Sequence, residues 1–380
     1  MIEVLTPGPY ATIQDLGRPG YAHLGVPRSG AADEASLRLG NRLVGNPEDA
    51  AGIELTYGGA RLAFHSGAWV AVTGAPCPLS GPSPIPVGAG ASPAAVGSEP
   101  PPDAVGSGPS PGPVEPERRP FPVEPERRPV PVEPERRPVP VEARRRPGPV
   151  EAGRSPITGE AGRASVPEEA RRSPTLGAGM NVPFWVPAGS ELRFGAPEWG
   201  LRTYLAVRGG IAVEPVLGSR STDSLSGLGP APLRQGTVLP VGGSGDLMEI
   251  SVDLAPAGEP PPAVLRIVPG PRDDWFAPDA LAELCAEPYE VSQDSNRVGV
   301  RLRGRELSRA REGELPSEGM VTGAVQVPPS GQPIVFLTDH PPTGGYPVIG
   351  VVRSADLPIA AQLRPGDSVR FTVRPGRRRT

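Results

Sequence analysis

Apolar positions in this chain come in short alternating bursts of four to six residues, the spacing of β-strands rather than of long helices. Met1 to Leu5 starts such a strand at once, and Ile53 to Thr56, Ala60 to Phe64 and Trp69 to Thr73 follow with turn residues between them. One segment breaks the rhythm. Leu37, Leu39, Leu43 and Val44 fall on one helical face; Ser29 or Asp33 can cap its start and Gly45-Asn46-Pro47 closes it. Further strands are predicted at Glu191 to Phe194, Leu201 to Val207, Val264 to Val268, Val300 to Leu302 and Ile334 to Leu337, with a short helix at Leu281 to Leu284. Many strands, few helices and tight turns predict a mainly β chain whose antiparallel sheets close on themselves.

At Gly81 the pattern stops. From there to about Gly179 the chain is Pro, Gly, Ala, Ser, Glu and Arg, and carries a nine-residue repeat beginning at Val114, Val123 and Val132 with a decaying copy from Val141. Such a stretch cannot bury enough apolar area to offset its ordering entropy, and its prolines forbid helix or interior strand. The expectation is a disordered Pro/Glu/Arg-rich insertion over 81–179, looped out of a first unit made of 1–80 plus 180–254. Ala255 to Pro262 reads as a linker to a second unit over 263–373, and the arginine-rich end from Arg374 reads as frayed.

Composition narrows the chemistry. The 380 residues include 56 Pro and 50 Gly, and the formal charge of −4 points to neither nucleic acid nor a membrane surface. There is no lysine, so all 38 basic residues are arginine. A lysine Schiff base, a Walker-type phosphate-loop lysine and covalently attached biotin are therefore excluded on this chain. Cys77 and Cys285 form no metal or disulfide pattern, and His23, His65 and His340 lie at no ligand spacing. No basic-then-apolar leader and no membrane-length apolar run is present, so the expected location is the cytoplasm.

Two stretches concentrate polar chemistry. Leu315 to Gly350 sets Glu318, Gln326, Asp339, Thr343 and Tyr346 among glycines and prolines around one buried strand. Carboxylate, amide, hydroxyl and bare backbone on strand-end loops suit a small polar ligand, although two tight turns of a β domain would give the same pattern. Leu217 to Ser224 places Arg220, Ser221 and Asp223 on one turn. Arg220 can grip a carboxylate or phosphate there, or pair internally with Asp223.

Longer motifs carry a resemblance. TIQDLGRPGY (Thr12 to Tyr21), SGAADEASLRLGNRLVGNPEDAAGIE (Ser29 to Glu54), TYLAVRGGI (Thr203 to Ile211), LGSRSTD (Leu217 to Asp223), SNRVGVRLRG (Ser295 to Gly304), the whole of Leu315 to Gly350 and AQLRPGDSVRF (Ala361 to Phe371) occur in order. Through them the chain resembles the biotin-dependent carboxyltransferase family, which takes in allophanate hydrolase subunit 2, the Kip antagonist proteins and the C subunit of bacterial 5-oxoprolinase. The resemblance implies two cyclophilin-like β-barrel domains with a cleft between them. The 81–179 insertion departs from the family pattern, which has a short hairpin there.

It also implies a hydrolase working as part of a complex. A sister B subunit (Kip inhibitor-like) and an A subunit would join it in opening the lactam of 5-oxo-L-proline to L-glutamate, with ATP handled by the assembly. Glu318 and Asp339 then become the candidate general acid and base, since apolar flanks raise a carboxyl pKa. Gln14, Asp15, Arg18, Arg220, Ser221, Asp223, Gln326, Thr343, Gly344, Gly345 and Tyr346 become candidate substrate-binding residues. Two alternatives stay open: carboxyl transfer to urea or a related amide from carboxybiotin on another chain, and a regulatory partner of the Kip-type protein without chemistry.

Overall fold

The computed structural model describes residues 1–81, 179–311, 313 and 315–373. The insertion expected over 81–179, apart from its two end residues, and the frayed end from 374 lie outside the described residues.

The first half is built on two five-stranded antiparallel sheets. Its strands are β1 (Ile2–Pro7), β2 (Tyr10–Gln14), β3 (Gly52–Thr56), β4 (Ala60–Phe64), β5 (Ala68–Gly74), β6 (Leu79–Ser80), β7 (Pro183–Val186), β8 (Ser190–Phe194), β9 (Arg202–Val207) and β10 (Val238–Leu239). One sheet runs β10-β1-β4-β8-β6 and the other β2-β3-β9-β5-β7. Their inner faces share one core: Ile2, Val4, Leu62 and Phe64 from the first meet Ile53, Val70, Leu205 and Val207 from the second.

Helix α1 (Glu34–Leu43) covers the outer face of the second sheet. Asp33 caps it, its carboxylate accepting from Ser36 N at 3.1 Å. Gly40 lets the helix sit close, since a Cβ there would lie 3.1 Å from the Ala206 Cβ and 3.3 Å from Thr73 Oγ1. This second layer explains why every residue of β9 is buried. Leu205 and Val207 face the inter-sheet core, while Tyr204 and Ala206 pack with the helix side.

The second half is a closed seven-stranded barrel. Its elements are β11 (Val264–Pro269), α2 (Ala280–Ala286), β12 (Tyr289–Val291), β13 (Gly299–Arg303), β14 (Glu318–Gly319), β15 (Ala324–Gln326), β16 (Ile334–Phe336), β17 (Thr343–Gly344), β18 (Val348–Val352), α3 (Leu357–Gln362) and β19 (Ser368–Val373). The barrel order is β11-β18-β15-β16-β13-β12-β19, closed by the parallel pair β11–β19. Strands β14 and β17 stand apart as a two-stranded ribbon. The barrel core includes Leu265, Ile267, Val300, Val325, Val335 and Phe371. No helix among the described residues is long and apolar enough to cross a membrane.

Candidate functional site

Where the two halves meet, the chain buries charge instead of hydrocarbon. Arg297, just before β13, reaches Glu54 on β3 through Nη1 and donates from Nε to Asp339 Oδ2 at 2.9 Å. Its Nη2 donates to Gly30 O at 2.6 Å. Glu54 Oε2 accepts from Ala32 N at 3.0 Å and from the Tyr204 hydroxyl at 2.9 Å, and Arg202 lies 3.4 Å from Oε1. Asp339 also accepts from Ser29 Oγ at 2.9 Å, Ser224 N at 3.0 Å and Ser224 Oγ at 2.6 Å. A buried charge needs partners on this scale, and here each has them.

These surroundings overturn the expected pKa direction for Asp339. Burial pushes its carboxyl up, but the Arg297 guanidinium and the Ser224 hydrogen bonds outweigh burial and hold it below the usual value. Glu54 is held low in the same way by Arg297 and Arg202 against burial. Asp33 goes the other way: burial raises it, and hydrogen bonds from Gln362 and Ser36 offset only part of the rise. Asp339 is fully buried in the joint between the two halves, with its acceptor sites occupied.

Six of the sequence candidates, Asp15 among them, lie where the end of β2 meets the 216–224 segment. Asp15 Oδ1 accepts from Gly17 N at 2.8 Å and from the hydroxyls of Ser219 and Ser221, each at 2.6 Å, and Oδ2 accepts from Arg220 N at 2.5 Å. Arg18 donates from Nε to Val216 O at 3.3 Å and from Nη2 to Ser221 O, and Gln14 donates to Thr222 O at 3.0 Å. Gln14, Arg18 and Ser221 are buried and tie strand β2 to the 216–224 segment. The internal Arg220–Asp223 pair does not form. Asp223 instead accepts from Leu225 N at 2.9 Å and Ser226 N at 3.1 Å, while Arg220 Nε donates to Val213 O at 2.7 Å.

Asp15 and Arg220 border a cleft of about 580 Å³ that also meets Gly17, Arg28, Arg38 and Asp49. A second cleft of about 450 Å³ lies between the start of α1 and the barrel residues Thr322, Leu337, Thr338, Ser354, Ala355, Leu357 and Pro358. Arg28 and Arg38 line both. Glu34 holds Arg28 at 2.7 Å and Arg38 at 3.6 Å, and Glu48 holds Arg38 at 2.8 Å. Fixed guanidinium groups on a cleft wall can stabilise charge developing on a carbonyl or phosphoryl oxygen.

The remaining candidates form a separate group on the barrel. Glu318 pairs across the ribbon with Gly344, and Gly319 with Thr343. Arg272 grips Glu318 with two hydrogen bonds, Nε to Oε2 at 3.0 Å and Nη2 to Oε1. That pairing holds the Glu318 carboxyl below its usual range, opposite to the rise expected from apolar flanks, because the flanking residue is a guanidinium. Gln326 donates to Tyr346 O at 3.2 Å, and a Cβ on Gly344 would lie 2.8 Å from the Gln326 amide nitrogen. Gly345 accepts from Leu315 N at 3.0 Å. Glu318 and Asp339, paired in the sequence reading, thus belong to different networks.

Sequence reasoning did not select Glu54, Arg297, Arg28 or Arg38. Glu54 carried a usable signal, a lone carboxylate within the apolar strand Ile53 to Leu55. The arginines carried none, because their partners are set by tertiary contact.

Comparison with known proteins agrees with this architecture. The profile of the carboxyltransferase domain, subdomain A and B, matches residues 24–90 and 157–373. The chain therefore belongs to that carboxyltransferase-domain family. It is 30% identical to the C subunit of the 5-oxoprolinase of Escherichia coli (strain K12), over 98% of this chain and 90% of that protein. It is also 30% identical to the urea amidolyase of Lachancea kluyveri, over 97% of this chain but only 17% of that protein. The crystal structure of TTHA0988 superposes with a TM-score of 0.66 at 29% identity; this chain is covered to 98% and spans 56% of that one. The K. lactis urea amidolyase structure, at 24% identity and a TM-score of 0.65, shares the fold and is spanned to 18%.

Proposed function

We propose that this chain is the C subunit of an ATP-dependent 5-oxoprolinase, opening the lactam of 5-oxo-L-proline to L-glutamate within a complex. The observation that carries this reading is the near end-to-end match to the E. coli C subunit, 98% of one chain against 90% of the other. Lactam opening builds negative charge on the carbonyl oxygen, and ATP activation adds phosphoryl charge beside it. Arg220 on the cleft, with its terminal nitrogens unpaired among the described residues, supplies a positive group such a reaction needs. Glu318 is ionised at neutral pH, but Arg272 holds both of its oxygens and it lines neither cleft, so it orders the ribbon instead of moving a proton. ATP is handled by the assembly with sister B and A subunits, since no lysine is present to build a Walker-type loop.

The similarity to urea amidolyase favours a second reading, carboxyl transfer to urea or a related amide. Biotin would then arrive on another chain, because none can be attached here. Avidin separates the two. Glutamate release from 5-oxoproline that is ATP-dependent and indifferent to avidin supports the first reading; urea-dependent ATP consumption abolished by avidin supports the second.

A further inference from the structure

In the cleft of about 580 Å³, most polar groups are already committed. Asp15 is saturated by four donors. Asn46 donates to Asn41 Oδ1 and Val207 O and accepts from Gly209 N. Arg28 and Arg38 are paired with Glu34 and Glu48. Two groups remain. Arg220 is half-buried and aimed by two anchors, its backbone N–H on Asp15 at 2.5 Å and its Nε on Val213 O at 2.7 Å. Its terminal Nη1 and Nη2 have no hydrogen-bond or ion-pair partner among the described residues. Asp49 is exposed on the same cleft, and its carboxylate likewise has no partner among the described residues.

A fixed guanidinium edge and a spare carboxylate lining one cleft are complementary to a ligand with a carboxylate and an N–H donor. Gly218, at φ +78° with nothing within 4 Å of a Cβ position, leaves the backbone beside Arg220 open to close approach. The geometry points to this cleft as the site of a small amide or lactam that carries its own carboxylate, with Arg220 taking the carboxylate and Asp49 accepting from the amide N–H. For the identity of the ring this rests on the oxoprolinase reading; for the carboxylate it rests on the cleft alone.

Titration calorimetry on the full chain tests it with three probes: 5-oxo-L-proline, 2-pyrrolidinone (the same ring without the carboxylate) and N-acetylglycine (an open-chain amide acid). Losing a charged hydrogen-bond partner weakens binding by about 10- to 100-fold. The expected result is that wild type prefers 5-oxoproline to 2-pyrrolidinone by that factor, and that Arg220→Gln, with an unchanged melting temperature, loses the preference. Asp49→Asn, at an exposed position, should weaken both lactams while keeping their ratio, and stands in should Arg220→Gln fail to fold. Binding of N-acetylglycine through Arg220 without binding of 5-oxoproline would uphold the site and remove the oxoprolinase reading. A carboxylate preference that persists in Arg220→Gln, or no preference in wild type, overturns the inference.

Discussion

Arg297 donates to Asp339 Oδ2 at 2.9 Å with both side chains almost wholly removed from solvent, and the same guanidinium reaches Glu54 in the other half of the molecule. Arg297 thus joins the two halves, whose apolar cores are separate clusters, together with Arg202 and Arg364, which also bond across. Replacing Arg297 with methionine leaves two buried carboxylates without their main counter-charge. The expected loss is about 3–5 kcal/mol of unfolding free energy, read from denaturant unfolding monitored by tryptophan fluorescence. A loss below about 1 kcal/mol would show that the joint is held by other contacts.

The same network sets an acid limit. Asp339 and Glu54 sit below their ordinary values, so the folded state binds fewer protons than the unfolded one near and below pH 4. Their contribution is full above the unfolded carboxylate range and is lost as pH falls through the folded values. His340, whose ordinary value is 6.5 and which burial lowers, acts in the same sense from about pH 6.5 downward. Asp33, raised by burial, opposes them by gaining stability as it protonates. Denaturation midpoints measured between about pH 7 and pH 3 should fall with pH, and less steeply in Asp339→Asn than in wild type.

Glu318 and Asp339 should separate on mutation. Glu318 is partly exposed on the ribbon and lines neither cleft, so Glu318→Gln should change stability by no more than about 0.5 kcal/mol and leave turnover of the complex close to wild type. Asp339→Asn should instead destabilise the chain, while the molecules that remain folded turn over at rates close to wild type. Circular dichroism melts and turnover rates per folded complex, measured side by side, check both halves of this contrast.

Gly17 has φ +81°, and a Cβ there would lie 2.5 Å from Arg28 O. Gly17→Ala should cost about 1–3 kcal/mol and shift the backbone that carries Arg28 along the cleft wall. A melting temperature within a degree of wild type would contradict this.

Local features of the sequence were legible and distant ones were not. The helix ending before Gly45-Asn46-Pro47, its Asp33 cap and the strand at Ile334 each rest on residues a few positions apart. The clustering of Asp15 with Ser219, Ser221 and Arg220 was foreshadowed only as two separate polar turns, because neither turn states that strand β2 delivers one to the other. Arg297 and Glu54 stand 243 positions apart, and no periodicity links them. The same limit explains the mistaken pKa direction at Glu318. Apolar neighbours in sequence predicted a raised value, while Arg272, 46 positions away, decides it in space.

The most direct test is ATP-dependent glutamate release from 5-oxo-L-proline by this chain mixed with the A and B subunits, repeated with each component left out. Release in the full mixture that collapses when this chain is omitted, and is unchanged by avidin, is the predicted result. An assembled complex that consumes no ATP and releases no glutamate would contradict it and move the assignment to carboxybiotin chemistry or to regulation.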